Sequence, residues 1–179
     1  MPKAIATFEK VSFEQFKKDW LDKNPTGKSK WSEDELKAMY YAILLPERAT
    51  SGSAGYDIFA PADILVRHGD AVVIPTGIRC RIDEGWFLDL NPRSGHGFKM
   101  GIHLANTRGI IDSDYYNADN EGHIMVKLVN DAPWNDKSFE ISAGSGFAQG
   151  IFTVYGITTD DRADRERTGG FGSTDVQNN

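Results

Sequence analysis

Two carboxylates two residues apart, Asp112 and Asp114, stand in the run Gly109-Ile-Ile-Asp-Ser-Asp-Tyr-Tyr116, directly before a pair of tyrosines. A carboxylate on a rigid strand end can orient and deprotonate a water, and an adjacent aromatic can cover a flat substrate ring. The same residues also read as an ordinary surface turn, because Asp-Ser-Asp is common turn chemistry. Four further stretches carry groups of the right type. Pro92-Arg-Ser-Gly95 can aim backbone N–H groups, a hydroxyl and a guanidinium at one anion, or be a plain turn. Gly144 to Gly150 carries Gln149, whose amide can donate inward from a strand or be satisfied by backbone. Ala49 to Ala60 has glycines that allow close backbone approach, and it ends in a strand bearing Asp57. Arg165 to Thr174, RERTGGFGST, joins glycines, hydroxyls and arginines in the manner of a phosphate-binding loop, with Phe171 able to close over a flat ring.

Several chemistries lack their residues. There is no HExxH, no paired CxxC, no GxSxG and no GxxxxGK[ST], and the four histidines show no metal-ligand spacing. A metal ligated directly by the protein is not expected. Mg²⁺ carried mainly by substrate phosphates and water stays open.

The elements that position these groups are short. An apolar run from Gly101, broken at Asn106 to Gly109 and resumed at Ile110, reads as a hairpin with Asn106 and Asp112 near its mouth. Ala71 to Ile74, Ile78 to Ile82, Trp86 to Leu90, Ile124 to Val129 and Phe147 to Ile157 are further strands between Gly and Pro turns. Ahead of them, Ser12-Phe-Glu-Gln15 and Ser32-Glu-Asp-Glu35 match capping boxes that open helices, giving a helical segment over 12–40. That segment reads as an appendage without chemistry, or as a partner-binding element. The pattern predicts an all-β barrel or sandwich, one domain over 1–160, and a flexible arm over 161–179.

At 179 residues and 40% hydrophobic content the chain can bury a core without disulfides. The single Cys80, alternating with Arg79 and Arg81 between Ile78 and Ile82, reads as a small core residue in a reducing, cytoplasmic setting. No run approaches a membrane span, and MPKAIATFEK lacks the apolar core of a signal peptide. A net charge of −6 argues against broad nucleic-acid binding and leaves a small phosphorylated ligand open.

Taken in order, AGYDI, PRSG, GIIDSDYY, GFAQGIF and GGFGST, from Ala54 to Thr174, resemble the five motifs of the homotrimeric dUTP diphosphatase (dUTPase) family. The helical segment and the longer hairpin over 116–122 resemble versions found in Gram-positive bacteria and their phages. The resemblance implies a jelly-roll-like β-barrel assembled as a homotrimer with shared active sites, and hydrolysis of dUTP to dUMP and pyrophosphate with Mg²⁺ on the triphosphate. It implies Asp112 as the base that readies water for the α-phosphorus, with Tyr115 under the deoxyribose. Asn106, the backbone of Gly109, Ile110 and Ile111, and Met125 would read uracil. Arg93, Ser94, Gly95 and Gln149 would hold phosphates, and Asp57 would reach Mg²⁺ through a water. Phe171 of the arm would cover uracil, while Arg167, Gly172, Ser173 and Thr174 would lie near the β- and γ-phosphates. Two departures stand out. Gly146 occupies a position where relatives often have Arg, and the run Arg165-Glu-Arg167 leaves either arginine as the phosphate contact, with Arg167 favoured. A dCTP deaminase or a bifunctional relative is the enzymatic rival, although no further Glu beside the base-reading residues is evident. A dUTPase-scaffold regulatory binding protein is the other.

Overall fold

A computed structural model describes residues 3–164 together with 167 and 169. Among these residues the chain runs β1 (Ala6–Lys10), α1 (Phe13–Lys23), α2 (Glu33–Ala42), β2 (Tyr56–Phe59), β3 (Ile64–Val66), β4 (Ala71–Pro75), β5 (Ile78–Ile82) and β6 (Trp86–Pro92). It continues with α3 (Ser94–Met100), β7 (His103–Leu104), β8 (Gly109–Ile111), a 3-10 turn (Ser113–Asn117), β9 (Met125–Val129), β10 (Phe139–Ile141) and β11 (Gly146–Val154). The strands form four antiparallel ladders, β1-β5, β3-β10, β2-β11-β6-β8 and β4-β9-β7, around a shared core. The fold is all-β, as the strand pattern predicts, and jelly-roll-like, as the resemblance implies. No helix among the described residues is long and apolar enough to cross a membrane.

Alternation sets the inner faces. Ile78, Cys80 and Ile82 are buried while Arg79 and Arg81 face outward, and Leu88 and Leu90 turn inward from β6. Burial pushes the Cys80 thiol up to about 12, so it is a core residue and not a nucleophile.

Three local expectations change. The hairpin opens: β7 pairs with β9 and β8 pairs with β6, so the two strands end separate sheets instead of pairing with each other. The turn between them holds Thr107 at φ +63, which steers the chain from one sheet to the other. The Pro92–Gly95 turn is in fact the entry to α3, which ends at Gly101 in the left-handed region. The first capping box is half of one. Ser12 accepts from the Gln15 N–H, but the Gln15 side chain turns to Asp19, whereas Ser32 and Glu35 form the full reciprocal box.

Nor is the helical segment a mere appendage. Phe16 and Trp20 of α1 are wholly buried in the same core as Ile74, Ile78 and Phe147. Their spacing of four residues aligns them on one helix face, which the barrel covers.

Candidate active site

The two edge strands bound a pocket. Where β7 and β8 part, a cavity of about 400 Å³ opens, lined by Leu104, Ala105, Asn106, Gly109, Leu90, Met125, Val126, Lys127, Val73 and Lys23. Three of the expected base-reading residues, Asn106, Gly109 and Met125, therefore meet at one place. Because β8 ends its sheet, one edge of its peptide groups lies outside the ladder to β6 and can present donors and acceptors to a planar base. Gly109 has no room for a side chain, since a Cβ there would stand 3.0 Å from Leu90 Cβ. Ile110 and Ile111 do not line the cavity. Ile111 points into the core and Ile110 outward, so only their backbone is available to a ligand.

At the other end of β8 the chain enters the 3-10 turn through Asp112, whose side chain is about half exposed. The turn is fastened on both sides. Tyr115 goes inward, donating its hydroxyl to the His123 carbonyl at 2.9 Å and accepting from Asn120 Nδ2 at 2.8 Å. Burial raises the Tyr115 phenol above its ordinary value, which keeps it a donor. Tyr116 goes outward under the guanidinium groups of Arg79 and Arg81, at 4.3 and 4.7 Å, and donates to Glu9 at 2.7 Å. That bond from Tyr116 holds the Glu9 carboxyl below its ordinary value, against desolvation and with the help of both arginines.

Arg167 reaches this turn. Its Nη2 donates to Asp112 Oδ2 at 2.9 Å, its Nε lies 3.4 Å from Asp114 Oδ1, and its guanidinium sits 5.5 Å from the Tyr115 ring centre. The expectation puts Arg167 near the β- and γ-phosphates; in this structure it meets the two carboxylates. Two like charges and an aromatic face make that the stronger local attraction for a guanidinium. Phe171, Gly172, Ser173 and Thr174, and the alternative Arg165, lie outside the described residues.

The expected phosphate-holding residues form a second cluster. Arg93 Nε lies 3.2 Å from Asp57 Oδ1, and its Nη1 donates to the Gly146 carbonyl at 3.1 Å. Gln149 stands opposite Asp57 on β2 and opposite Asn91 on β6, and its Nε2 reaches the Pro92 carbonyl at 3.4 Å. Ser94 and Gly95 are exposed at the start of α3. Gly146 has a use of its own, since a Cβ there would come 3.2 Å from Arg93 Nη1. The glycine leaves the guanidinium its place, and a side chain at 146 would require it to shift by a few tenths of an ångström.

Asp112 and Arg93 stand apart within the chain. Ile111, the neighbour of Asp112, pairs with Leu88, and Arg93 comes five positions after Leu88, just past the end of β6, about 17 Å away by strand rise. Among the described residues there is also no group of three or more His, Cys, Asp or Glu able to hold a metal.

Sequence reasoning missed three contributors. Arg108 grips the buried Asp89 with two nitrogens, Nε at 3.1 Å, and so pins the 105–108 turn to β6. Lys23 enters the pocket wall from the last turn of α1. Glu121, in the loop after the 3-10 turn, binds Ser12 with both oxygens and so is turned away from the pocket. None had a local signal, because each depends on how distant elements dock.

Known proteins resemble the chain in sequence and in fold. The dUTPase family model matches residues 42–175. The deoxyuridine 5'-triphosphate nucleotidohydrolase of Lactococcus lactis is 39% identical over 135 residues, covering 74% of this chain and 88% of that one. The crystal structure of dUTPase from Streptococcus mutans superposes with a TM-score of 0.60 at 28% identity, covering 84% of this chain and 97% of that one. The dUTPase of phage phi11 of S. aureus, described with a structural Mg(II) ion, shares the fold at a TM-score of 0.56 and 20% identity, over 69% of this chain and 92% of its own. With a family model matched over most of its length and a relative at 39% identity, the chain belongs to the dUTPase family.

Proposed function

We propose that the protein hydrolyses dUTP to dUMP and pyrophosphate, a cytoplasmic step of nucleotide metabolism that limits uracil incorporation into DNA. The length of β8 carries this reading. Gly109 lines the pocket with Asn106 and Met125, and Asp112 follows three residues on, about 10 Å of strand. A deoxyuridine spans a similar distance from its base edge to its α-phosphate. With uracil in the pocket, Asn106 and the outer peptide edge of β8 read its donor and acceptor pattern. Cytosine would leave buried groups unpaired. Tyr115 then lies under the deoxyribose, and Asp112 faces the α-phosphorus.

Asp112 orients a water and takes its proton as the water oxygen bonds to phosphorus. The bond from phosphorus to the pyrophosphate oxygen breaks in line. Such a reaction needs position and charge neutralisation more than covalent help from the protein. Arg93, Ser94, Gly95 and Gln149 supply these to the phosphates. Because Arg93 follows the end of β6, five positions after the partner of Ile111, these residues come from another copy, as in a homotrimer with sites shared between subunits. When bound, Mg²⁺ neutralises charge on the triphosphate. Asp57, a lone carboxylate beside Arg93 and Gln149, suits contact with a hydrated ion that arrives on the phosphates. The arm closes with Phe171 over uracil and Gly172, Ser173 and Thr174 near the outer phosphates. Arg167 exchanges its two carboxylates for those phosphates.

Pyrophosphate release measured across the deoxynucleoside triphosphates tests the function. Turnover of dUTP far above the others is expected; ammonia released from dCTP would instead make the protein a deaminase.

A further inference from the structure

Helix α1 lies outside the residues that match the family model, yet it is fastened to the loop that holds Tyr115. Glu121 accepts from the Ser12 N–H at 2.7 Å and from its hydroxyl at 2.6 Å, so the loop completes the cap of the helix. Two residues on, the wholly buried His123 makes the second tie. Its Nε2 accepts from the Gly77 N–H at 2.8 Å, which puts the ring proton on Nδ1. Nδ1 then donates to Asp19 Oδ2 at 2.6 Å, and that oxygen also accepts from Gln15 Nε2 at 2.7 Å. Asp19 is itself buried. The carbonyl of this same His123 is the acceptor for the Tyr115 hydroxyl.

We infer that Asp19 is a positioning residue for sugar selection: through the His123 ring it holds the loop carbonyl, and with it the Tyr115 ring. This rests on the reading that Tyr115 packs under the deoxyribose. Without Asp19, a buried imidazole N–H has no acceptor, and the ring moves to find one. Close packing passes that shift to Tyr115, and a small retreat of its ring makes room for a ribose 2′-hydroxyl. Loss of Asp19 therefore admits UTP, an effect on discrimination that loss of stability alone does not produce.

The test measures kcat and KM for dUTP and UTP in the wild type and in Asp19→Ala, Asp19→Asn and Tyr115→Ala, each checked for its fold by circular dichroism. Asp19→Ala is expected to lower the ratio of kcat/KM for dUTP over UTP about tenfold. Asp19→Asn keeps an acceptor for both donors and holds the ratio within about twofold. Tyr115→Ala lowers it at least as far as Asp19→Ala. A folded Asp19→Ala protein with the wild-type ratio overturns the role of Asp19, while a Tyr115→Ala effect still upholds the sugar reading. An unchanged ratio in Tyr115→Ala removes the sugar reading, and the role of Asp19 falls with it. If Asp19→Ala does not fold, Asp19→Ser, whose hydroxyl falls short of His123, is read against Asp19→Asn by the same ratio.

Discussion

Asp112 differs from its neighbour Asp114 in where the chain leaves it. It stands at the joint between β8 and the 3-10 turn, with Tyr115 locked inward and Tyr116 locked outward three and four residues later. A carboxylate so placed moves little, which is what a base needs when it must aim a water at one face of a phosphorus. Asp112→Asn keeps the shape and the bond from Arg167 but cannot take the proton. Nucleotide binding should survive in this variant while kcat falls by about 10² or more; single-turnover pyrophosphate release beside a binding titration reads both, and near-normal turnover would remove the assigned role. At this scale the sequence is informative. Asp112, Tyr115, Asn106 and Arg93 each stand in a short motif whose chemistry is readable from residue type. What is not readable is their company. That Gly146 makes room for Arg93, or that Arg167 meets Asp112 and Asp114, depends on segments far apart in the chain.

The elements show where local reading stops. Alternation identifies β5 and β6, and a four-residue aromatic spacing identifies α1, because these periods arise within a few residues. Partner choice does not. β7 and β8 look like the arms of one hairpin, but each finds a better edge in a different sheet, and the pocket is the gap this leaves. Helix α1 likewise carries its apolar face into the barrel core. Trp20→Ala should therefore destabilise the protein by about 3–5 kcal/mol, seen as a lower denaturation midpoint; a change within about 0.5 kcal/mol would mean the helix is only loosely attached. The helix also brings a titration signature. Burial alone would raise the Asp19 carboxyl, but the bonds from His123 and Gln15 outweigh it and leave it below its ordinary value. Its contribution to stability is then complete above the ordinary aspartate range and is lost as pH falls through the lowered folded value. The stability gap between wild type and Asp19→Asn should accordingly shrink on acidification through that range. A gap that stays constant in urea melts from neutral pH downward would show that Asp19 is not held as a carboxylate.

Viewed whole, the chain carries two clusters of candidate site residues on different strands. The base pocket and Asp112 lie along β8, while Arg93 follows the end of β6, with Asp57 of β2 and Gln149 of β11 beside it. On the function proposed above, the triphosphate meets Asp112 of one copy and the phosphate-holding residues of another. The most direct test mixes two inactive variants, Asp112→Asn and Arg93→Ala, under conditions that exchange subunits, and follows pyrophosphate release from dUTP. If sites form between copies, some boundaries pair an intact Asp112 with an intact Arg93, and random mixing should restore about a quarter of wild-type turnover. If each chain carries its own complete site, no mixture contains an intact one, and activity that stays at the level of the separate variants would contradict the account.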